Sequence, residues 1–391
     1  MTMKVIGLTD CLIGGTHLPR LYVIKEDDWQ LPLLPLLYSV YTTLYGTVYE
    51  MFSDAHQSEH SSHPHFTERY VTDNTIRTYI YCLAKFFDHL KLTTGGSSYT
   101  VSDFTVSHYL NNELPTRNIS RCSTMTHRAA ITSYCNFLTY FGLSPYIKLR
   151  LYRKTIQLIE SNNSTPFHIN YISSSNRTQL LMACKTLAEK LIIRLGYEVG
   201  LRTSEVAGLC LQGKDELISL FQKLNSSTYA NQDYFSYWLK GRYTKRGRSR
   251  WIYFSRELLT DMERYYKSER KLLLQSTDID PDNLFLRTDK RFCGTAVGKE
   301  YASRIFHRRA MAAGLSPVLS FHDLRHTFAT ELYHQELTGH SGRETRSESA
   351  ALLVVAQRLG HKLSRNGTPQ ATTVRYIRMR LEMLEVENGS S

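Results

Sequence analysis

The stretch 238–254 constrains the fold most, because it interrupts a chain whose apolar residues otherwise recur at helical spacing. Its sequence, WLKGRYTKRGRSRWIYF, places two aromatic and β-branched flanks around a centre rich in glycine and arginine. Such a pattern is typical of a β-hairpin. Over most of the remaining chain apolar residues return every three or four positions, which predicts helices. We therefore predict a mainly α-helical protein with a small β-hairpin, an α+β fold.

Three regions are predicted, because one ordinary core does not serve a chain of 391 residues. The polar runs HQSEHSSHPH and NNSTP separate them, since such sequences form connectors. Region 1–65 is an N-terminal extension whose role stays open between a DNA-contacting domain and a packing element, with packing favoured by its low charge. Region 66–165 is predicted to be all-α, and region 170–391 to be a mixed domain that contains the hairpin.

Periodicity and capping residues place the helices within these regions. The first begins at Asp73 or Asn74 and ends before the run TTGGSS. Helices are further predicted at 101–113, 124–141, 144–162, 177–199, 203–211, 256–275, 299–313, 322–337, 350–359 and 371–386.

The charge balance favours a polyanionic partner. The chain has 48 Lys and Arg against 36 Asp and Glu, a formal charge of +12. Such an excess is typical of nucleic-acid binding, although a charge that only keeps a protein soluble gives the same sum. Part of the excess is local, because 238–256 carries seven basic residues and no acid. Most of this charge, with a second basic helix face formed by Arg304, Arg308 and Arg309, is expected to follow a DNA backbone.

Other classes of protein are less consistent with the sequence. The seven cysteines are dispersed without a C-x-x-C, which argues against a disulfide framework or a cysteine-rich zinc site. Segment 30–49 has no charge but contains two prolines, a glycine and many Ser, Thr and Tyr, so we predict no membrane span. The histidines His56, His60, His63 and His65 lie in a Ser- and Pro-containing run, for which we predict a linker and no metal.

Three clusters in region 170–391 carry side chains suited to phosphate chemistry. Arg202 lies between a helix stop and a new helix, His322 and Arg325 are three apart on one predicted helix, and His361 follows Gly360. A guanidinium contacts two phosphoryl oxygens at once, so paired arginines suit a pentacoordinate phosphorane. Neither a paired-carboxylate magnesium site nor a G-x-x-x-x-G-K-[ST] motif is present. The residues thus favour phosphoryl transfer without a metal, and a tyrosine is a suitable nucleophile, although 26 tyrosines leave its choice open.

The strings GLRTSEVAGL, TKRGRSRWIYF, HDLRHTFAT, LGH and VRYI occur in an order that resembles the tyrosine recombinase (phage integrase) family. The resemblance covers about 175–385, and 66–160 is similar to the family's core-binding domain through weaker motifs. It implies a C-shaped clamp around DNA and a site-specific DNA recombinase, with integration or excision by a phage or mobile element as the expected type. The residues that match the family's catalytic motif are Arg202, Lys245, His322, Arg325, His361 and Tyr376.

The resemblance also implies a role for each of these residues. Tyr376 would attack the scissile phosphate, giving a 3′-phosphotyrosine and a free 5′-hydroxyl, while Arg202 and Arg325 stabilise the charge of the transition state. Lys245 would protonate the leaving 5′-oxygen, with Lys240 as the competing lysine on the hairpin.

The remaining predicted residues assist. His322 and His361 would transfer protons or position the phosphate. Glu205 and Asp323 are expected to orient the arginines or histidines. Three stretches are longer than the family pattern, before Lys245, before His361 and before Tyr376.

The resemblance implies double-stranded DNA as the partner and a homotetramer in a synaptic complex with two DNA segments, with the peptide after Tyr376 docked on a neighbour. Accessory DNA-bending or directionality proteins are expected, no cofactor and no membrane, and a cytoplasmic, nucleoid-associated location. The alternatives are a type IB topoisomerase-like or telomere-resolving enzyme, a catalytically silent DNA-binding regulator on the same scaffold, and a basic helical protein whose motif matches are coincidental.

Overall fold

A computed structural model describes most of the chain. The described residues are 3–51, 65–94, 101–117, 119–162, 170–213, 216–244, 247–275, 280–289, 292–339, 346–361 and 379–386. The chain divides into two compact units, Met1–Phe167 and His168–Ser391. Lys245, Tyr376 and three histidines of the predicted linker, His56, His60 and His63, lie outside the described residues.

The first unit combines two antiparallel strand pairs with helices. Strand β1 (Lys4–Ile13) pairs with β2 (Thr16–Lys25), and β3 (Thr47–Met51) pairs with β4 (Phe66–Tyr70). Its helices are α1 (Leu33–Tyr45), α2 (Asp73–Thr94), α3 (Asp103–His108), α4 (Leu114–Thr116), α5 (Arg121–Tyr140) and α6 (Arg153–Asn162). A π-helical turn, Tyr109–Glu113, joins α3 to α4.

One core holds the N-terminal segment and the helices of this unit together. Met3, Ile24, Tyr38 and Val48 are buried in the same apolar cluster as the inner faces of α2 and α5. Two buried hydrogen bonds cross between the segments, from the Asn136 amide to the carbonyl of Tyr49 at 2.9 Å and between the Tyr38 and Ser133 hydroxyls at 2.7 Å.

Two predictions for region 66–165 are therefore wrong. The region is not all-α, because residues 66–70 form β4 and pair with β3 of the preceding segment. A helix over 144–162 is also wrong at its start, since α6 begins at Arg153. The helices predicted at 101–113 and 124–141 are confirmed with shifted ends.

The second unit is helical around one hairpin. Its helices are α7 (Ser174–Met182), α8 (Leu187–Glu198), α9 (Thr203–Ala207), α10 (Leu217–Leu224), α11 (Arg256–Tyr265), α12 (Lys271–Leu274), α13 (Tyr301–Ala312), α14 (Phe321–Thr338) and α15 (Glu348–Leu359). Its strands are β5 (Tyr234–Leu239) and β6 (Arg250–Ser255). A π-helical turn, Tyr266–Arg270, joins α11 to α12, and residues 379–386 are helical.

The predicted hairpin is confirmed and is longer than expected. Strands β5 and β6 pair antiparallel from Tyr234 opposite Ser255 to Leu239 opposite Arg250. Alternate residues of each strand are buried, as expected for a sheet with one face on the core. The helix predicted at 177–199 is instead two helices, α7 and α8, because the chain breaks between them.

The long segment before the hairpin adds a packing element. Its helix α10 buries Leu217, Leu220 and Phe221 in the core of the unit. Asn225, which caps α10, donates its amide to Glu263 on α11 at 2.7 Å. The insertion thus extends the core beside the hairpin.

Residues 379–386 pack against α14 of the same chain. Met379 and Met383 are buried, and the Thr330 hydroxyl lies 3.6 Å from the Met379 sulfur. The Arg380 guanidinium donates to the His334 ring at 3.1 Å. Docking of this peptide on a neighbouring chain stays a prediction.

None of the helices in the described ranges has the length and apolarity that crossing a bilayer requires. The uncharged segment 30–49 instead contains the thirteen-residue helix α1 and part of β3.

Candidate active site

A glycine turn positions Arg202. Gly200 has a φ of +70°, and a Cβ there would lie 2.4 Å from the ring of Phe328 on α14, so the turn requires glycine. Arg202 follows as the extended N-cap of α9. Its backbone N–H donates to Glu205 at 2.8 Å, which closes the first turn of the helix on the Glu205 carboxylate. The Arg202 side chain is 22% exposed, so it faces the surface of the unit.

The Glu205 carboxylate gathers three arginines. It is fully buried and accepts from Arg202 Nη1 at 2.8 Å, from Arg250 Nη1 and Nη2 at 2.7 and 2.8 Å, and from Arg325 Nη1 at 3.5 Å. Burial alone would raise the pKa of Glu205, but the hydrogen bonds from Arg250 and the charges of Arg325, Arg250 and Arg202 lower it to about 2. Three guanidinium groups around one carboxylate leave the site with a net positive charge, which suits an anionic ligand.

Arg325 on α14 forms hydrogen bonds with two other segments of the unit. The residue lies on α14 and is 1% exposed. Its Nη2 donates to the carbonyl of Leu359 at 2.7 Å, and its Nη1 donates to the carbonyl of Gly200. Arg325 therefore holds the turn before Arg202 and the end of α15 against α14.

His361 is brought to the same place by the end of α15. Gly360 takes the left-handed conformation, with φ +66°, and the His361 N–H donates to Ala356 at 2.8 Å. Burial and the charges of Arg325 and Arg202 lower the pKa of His361 to about 3. The ring is therefore neutral at physiological pH, and the lowered pKa also makes it a weaker proton acceptor than an ordinary histidine.

His322 and Asp323 occupy the first turn of α14. His322 is exposed, and its ring lies edge-on to that of His326 with centroids 4.5 Å apart. The Asp323 carboxylate accepts from the Ser320 N–H at 2.7 Å and from the Ser320 hydroxyl at 2.8 Å. These bonds make Asp323 a cap of α14, so it acts on His322 and Arg325 through the helix that carries them.

The loop of the hairpin is tied to the Arg202 helix. The Ser204 hydroxyl on α9 donates to the Tyr243 carbonyl at 2.9 Å. The Thr244 hydroxyl lies within donating distance of two carbonyls, that of Arg248 at 2.7 Å and that of Gly241 at 2.9 Å. Lys245 itself lies outside the described residues.

The competing hairpin lysine, Lys240, has a partner of its own. Its ammonium forms an ion pair with Glu216, a buried residue that caps α10. The hydrogen bond to Glu216 raises the pKa of Lys240. A higher pKa makes this ammonium a weaker proton donor.

Sequence reasoning missed Arg250, the first residue of β6. The alternation of the strand could have revealed that Arg250 is buried, because Arg250, Ile252 and Phe254 share the inward face of β6. An arginine on a buried face requires an acidic partner, which here is Glu205.

The predicted basic surface is partly wrong. Arg309 pairs with the buried Glu189 at 2.8 Å, and Arg256 donates to the carbonyls of Gln232 and Tyr229. Both side chains hold elements of the unit together, and so does Arg250. Arg304 and Arg308 on α13 are exposed as expected.

No group of three His, Cys, Asp or Glu side chains within the described residues could hold a metal ion. The histidine run that raised the question of a metal, at positions 56–63, lies outside that part of the chain.

Comparison with known proteins covers part of the chain that carries this site. Residues 170–341 match the model of the phage integrase family, a range that includes Arg202, Glu205, His322 and Arg325. Over 167 residues the chain is 29% identical to the tyrosine recombinase XerD of Neisseria meningitidis serogroup B (strain ATCC BAA-335 / MC58). That match covers 41% of this chain and 48% of XerD, so it spans about half the length of this curated relative.

Among solved structures, the chain is similar to the site-specific recombinase XerH in a post-cleavage complex with its palindromic difH substrate. The TM-score is 0.50 at 19% identity, over 80% of this chain and 78% of XerH. At this identity the likeness shows the fold. The family match shows that residues 170–341, most of the second unit, form a domain of the phage integrase family, to which the tyrosine recombinases named here are similar.

Proposed function

We propose that the protein is a site-specific DNA recombinase that cleaves and rejoins strands through a 3′-phosphotyrosine, for integration or excision by a phage-like or mobile element. The observation that carries the proposal is the cluster of Arg202, Arg250 and Arg325 around the buried Glu205, next to a neutral His361. A positive, preorganised site of this kind stabilises the charge that develops on a phosphate during transfer.

In the proposed reaction the Tyr376 hydroxyl attacks the scissile phosphorus. A bond forms between the phenolic oxygen and phosphorus, and the bond from phosphorus to the 5′-oxygen breaks. The phenolic proton passes to a histidine, for which His322 and His361 are the candidates, and Lys245 gives a proton to the leaving 5′-oxygen. Rejoining runs the same steps in reverse, and because the phosphotyrosine retains the ester no nucleotide triphosphate is consumed.

Arg202 and Arg325 have different roles in the proposed reaction. Arg202 is part-exposed and bound to Glu205 through Nη1, so its guanidinium is suited to contact a phosphate that arrives from solvent. Arg325 is buried and donates to two backbone carbonyls. It therefore holds the segments of Gly200 and Leu359 in place and contributes its positive charge close to the site.

Double-stranded DNA is the proposed partner, with the first unit as a core-binding domain and the second as the catalytic domain. XerH is bound to its difH substrate in the structure named above. We propose four protomers on two DNA segments as the active assembly, in association with the nucleoid.

The proposal is tested with nicked DNA fragments that flank the protein's own coding sequence. We expect adducts that survive denaturation and carry the protein on a DNA 3′ end at one defined sequence. Strand exchange between two copies of that sequence then supports a recombinase, whereas plasmid relaxation without a defined site identifies a topoisomerase. Salt-sensitive binding without any adduct contradicts the proposal and identifies a regulator.

The general acid is assigned by a sulfur substitution at the 5′-bridging position of the scissile phosphate. A thiolate leaves without protonation, so loss of the acid matters only for the oxygen substrate. We expect Lys245→Ala to slow cleavage of the oxygen substrate by about 10²- to 10⁴-fold and to cleave the sulfur substrate near the wild-type rate. Lys240→Ala, measured in parallel, is expected to affect both substrates alike, and sulfur rescue of this variant instead would assign the acid to Lys240.

A further inference from the structure

Arg250 lies at the meeting point of the segments that build the site. It is the first residue of β6, opposite Leu239, and therefore begins the strand that follows the lysine loop. It is 8% exposed and pairs with Glu205 on α9. On its other side, a Cβ at Gly360 would lie 2.9 Å from Arg250 Cδ, so the turn before His361 packs directly on its stem.

We infer that Arg250 is a positioning residue of the proposed reaction, which sets the orientation of the Arg202 and Arg325 guanidinium groups by holding the carboxylate of Glu205. The inference rests on the proposed function. It assigns to Arg250 a role that neither the charge pattern nor the helical motifs indicated.

The hydrogen-bond geometry supports a positioning role. Glu205 Oε1 accepts from Arg202 and Arg250, and Oε2 accepts from the Arg202 N–H, Arg250 and Arg325. The Arg250 side chain engages both oxygens, at 2.7 and 2.8 Å. Two parallel bonds from a planar fork fix the plane of a carboxylate, which a single donor does not.

Arg250 is poorly placed to bind the phosphate itself. Both of its terminal nitrogens are used by Glu205, and the residue is almost completely buried. Its Nε is buried without a hydrogen-bond partner among the described residues. An unsatisfied buried N–H destabilises the fold, so an apolar side chain would serve packing alone better than arginine.

The groups around Glu205 predict how the loss of Arg250 changes the pH dependence of cleavage. Glu205 faces Arg202 on its own helix, Arg250 on β6 and Arg325 on α14, and the charges of the same three arginines act on His361. Without the paired hydrogen bonds from Arg250, which lower the pKa of Glu205 most, the burial of the carboxylate is less fully offset, so the pKa of Glu205 rises even when a lysine keeps the positive charge. Protonated Glu205 accepts fewer hydrogen bonds from Arg202, so cleavage falls as the pH drops through the raised pKa.

The test measures single-turnover cleavage and DNA affinity from mildly acidic to mildly alkaline pH. It uses Arg250→Lys, Glu205→Gln and the double variant. Arg358→Lys is the matched control. The Arg358 guanidinium carbon lies 4.3 Å from the ring centroid of Tyr253 on β6, and the bonds described for Glu205 do not include Arg358. For Arg250→Lys we expect cleavage slower on the order of 10- to 100-fold, unchanged DNA affinity, and an acid limb at higher pH than in the wild type. The double variant should be no slower than Glu205→Gln, because both changes remove one interaction.

Wild-type rates in Arg250→Lys, or losses that multiply in the double variant, would overturn the inference alone. So would loss of the native melting transition in both single variants, since the role is then structural. Absence of cleavage by the wild-type protein overturns the proposed function, and the inference with it.

Discussion

Replacing Tyr376 with phenylalanine is expected to abolish covalent protein–DNA adducts on a nicked suicide substrate and to leave DNA binding at the wild-type level. The substitution removes one oxygen, the atom that would bond to phosphorus in the proposed reaction. Binding depends on many cationic contacts to the phosphate backbone and does not need that oxygen. Adduct yield after denaturation and affinity at fixed salt are the two measurements.

Tyr333→Phe is the control for this experiment. Tyr333 lies on α14, where it is 0% exposed in the apolar cluster that also contains Phe328 and Leu337. A side chain buried to this degree does not reach a DNA phosphate, so Tyr333→Phe should form adducts normally. Adducts that persist in Tyr376→Phe would place the nucleophile elsewhere, and sequencing of the DNA-linked peptide would then identify it.

Local patterns made much of the second unit predictable. The apolar spacing of α13, α14 and α15 depends on residues three or four apart, and the hairpin is indicated by aromatic flanks and a glycine-containing loop. The motifs predict that Arg202, Arg325 and His361 converge, and in the structure Arg202 and Arg325 bond to Glu205 while the charges of both arginines act on His361.

Strands of the first unit escaped prediction for a physical reason. Strand β1 has exposed and half-buried residues on both faces, so its sequence lacks the alternation that marks a half-buried strand. Strand β4 is almost entirely exposed and pairs with β3, from which it is separated by more than a dozen residues. Pairing of this kind depends on contacts distant in sequence, which local periodicity does not record.

Arg250 shows the same limit within the site. It meets Glu205 across 45 positions of sequence, and its charge made it resemble the solvent-facing arginines of the loop. Only the register of β6 separates it from them, since Arg250 shares the inward face with Ile252. The capping role of Asp323, by contrast, can be predicted from local sequence, because Asp323 lies three residues after the N-cap Ser320 and bonds to it.

Arg202→Ala is expected to lower the cleavage rate by about 10²- to 10³-fold with little change in the melting temperature. Loss of one preorganised donor to a developing negative charge has an effect of this size. Stability should change little because the Arg202 side chain is 22% exposed and Glu205 keeps its bonds from Arg250. Arg325→Ala is expected to lower both quantities, since it removes buried bonds to Gly200 and Leu359.

A lysine at position 202 separates the contribution of the positive charge from that of the guanidinium geometry. Arg202→Lys keeps the charge and loses the planar fork, so it should bind DNA like the wild type while cleavage remains slow. Arg177→Lys is the matched control, because Arg177 is also a part-buried arginine with one carboxylate partner, Glu331 at 2.7 Å, and lies outside the site. Full cleavage by Arg202→Lys would show that a point charge suffices at this position, whereas slow cleavage with normal binding requires that Arg202 contact the phosphate through two nitrogens in the transition state.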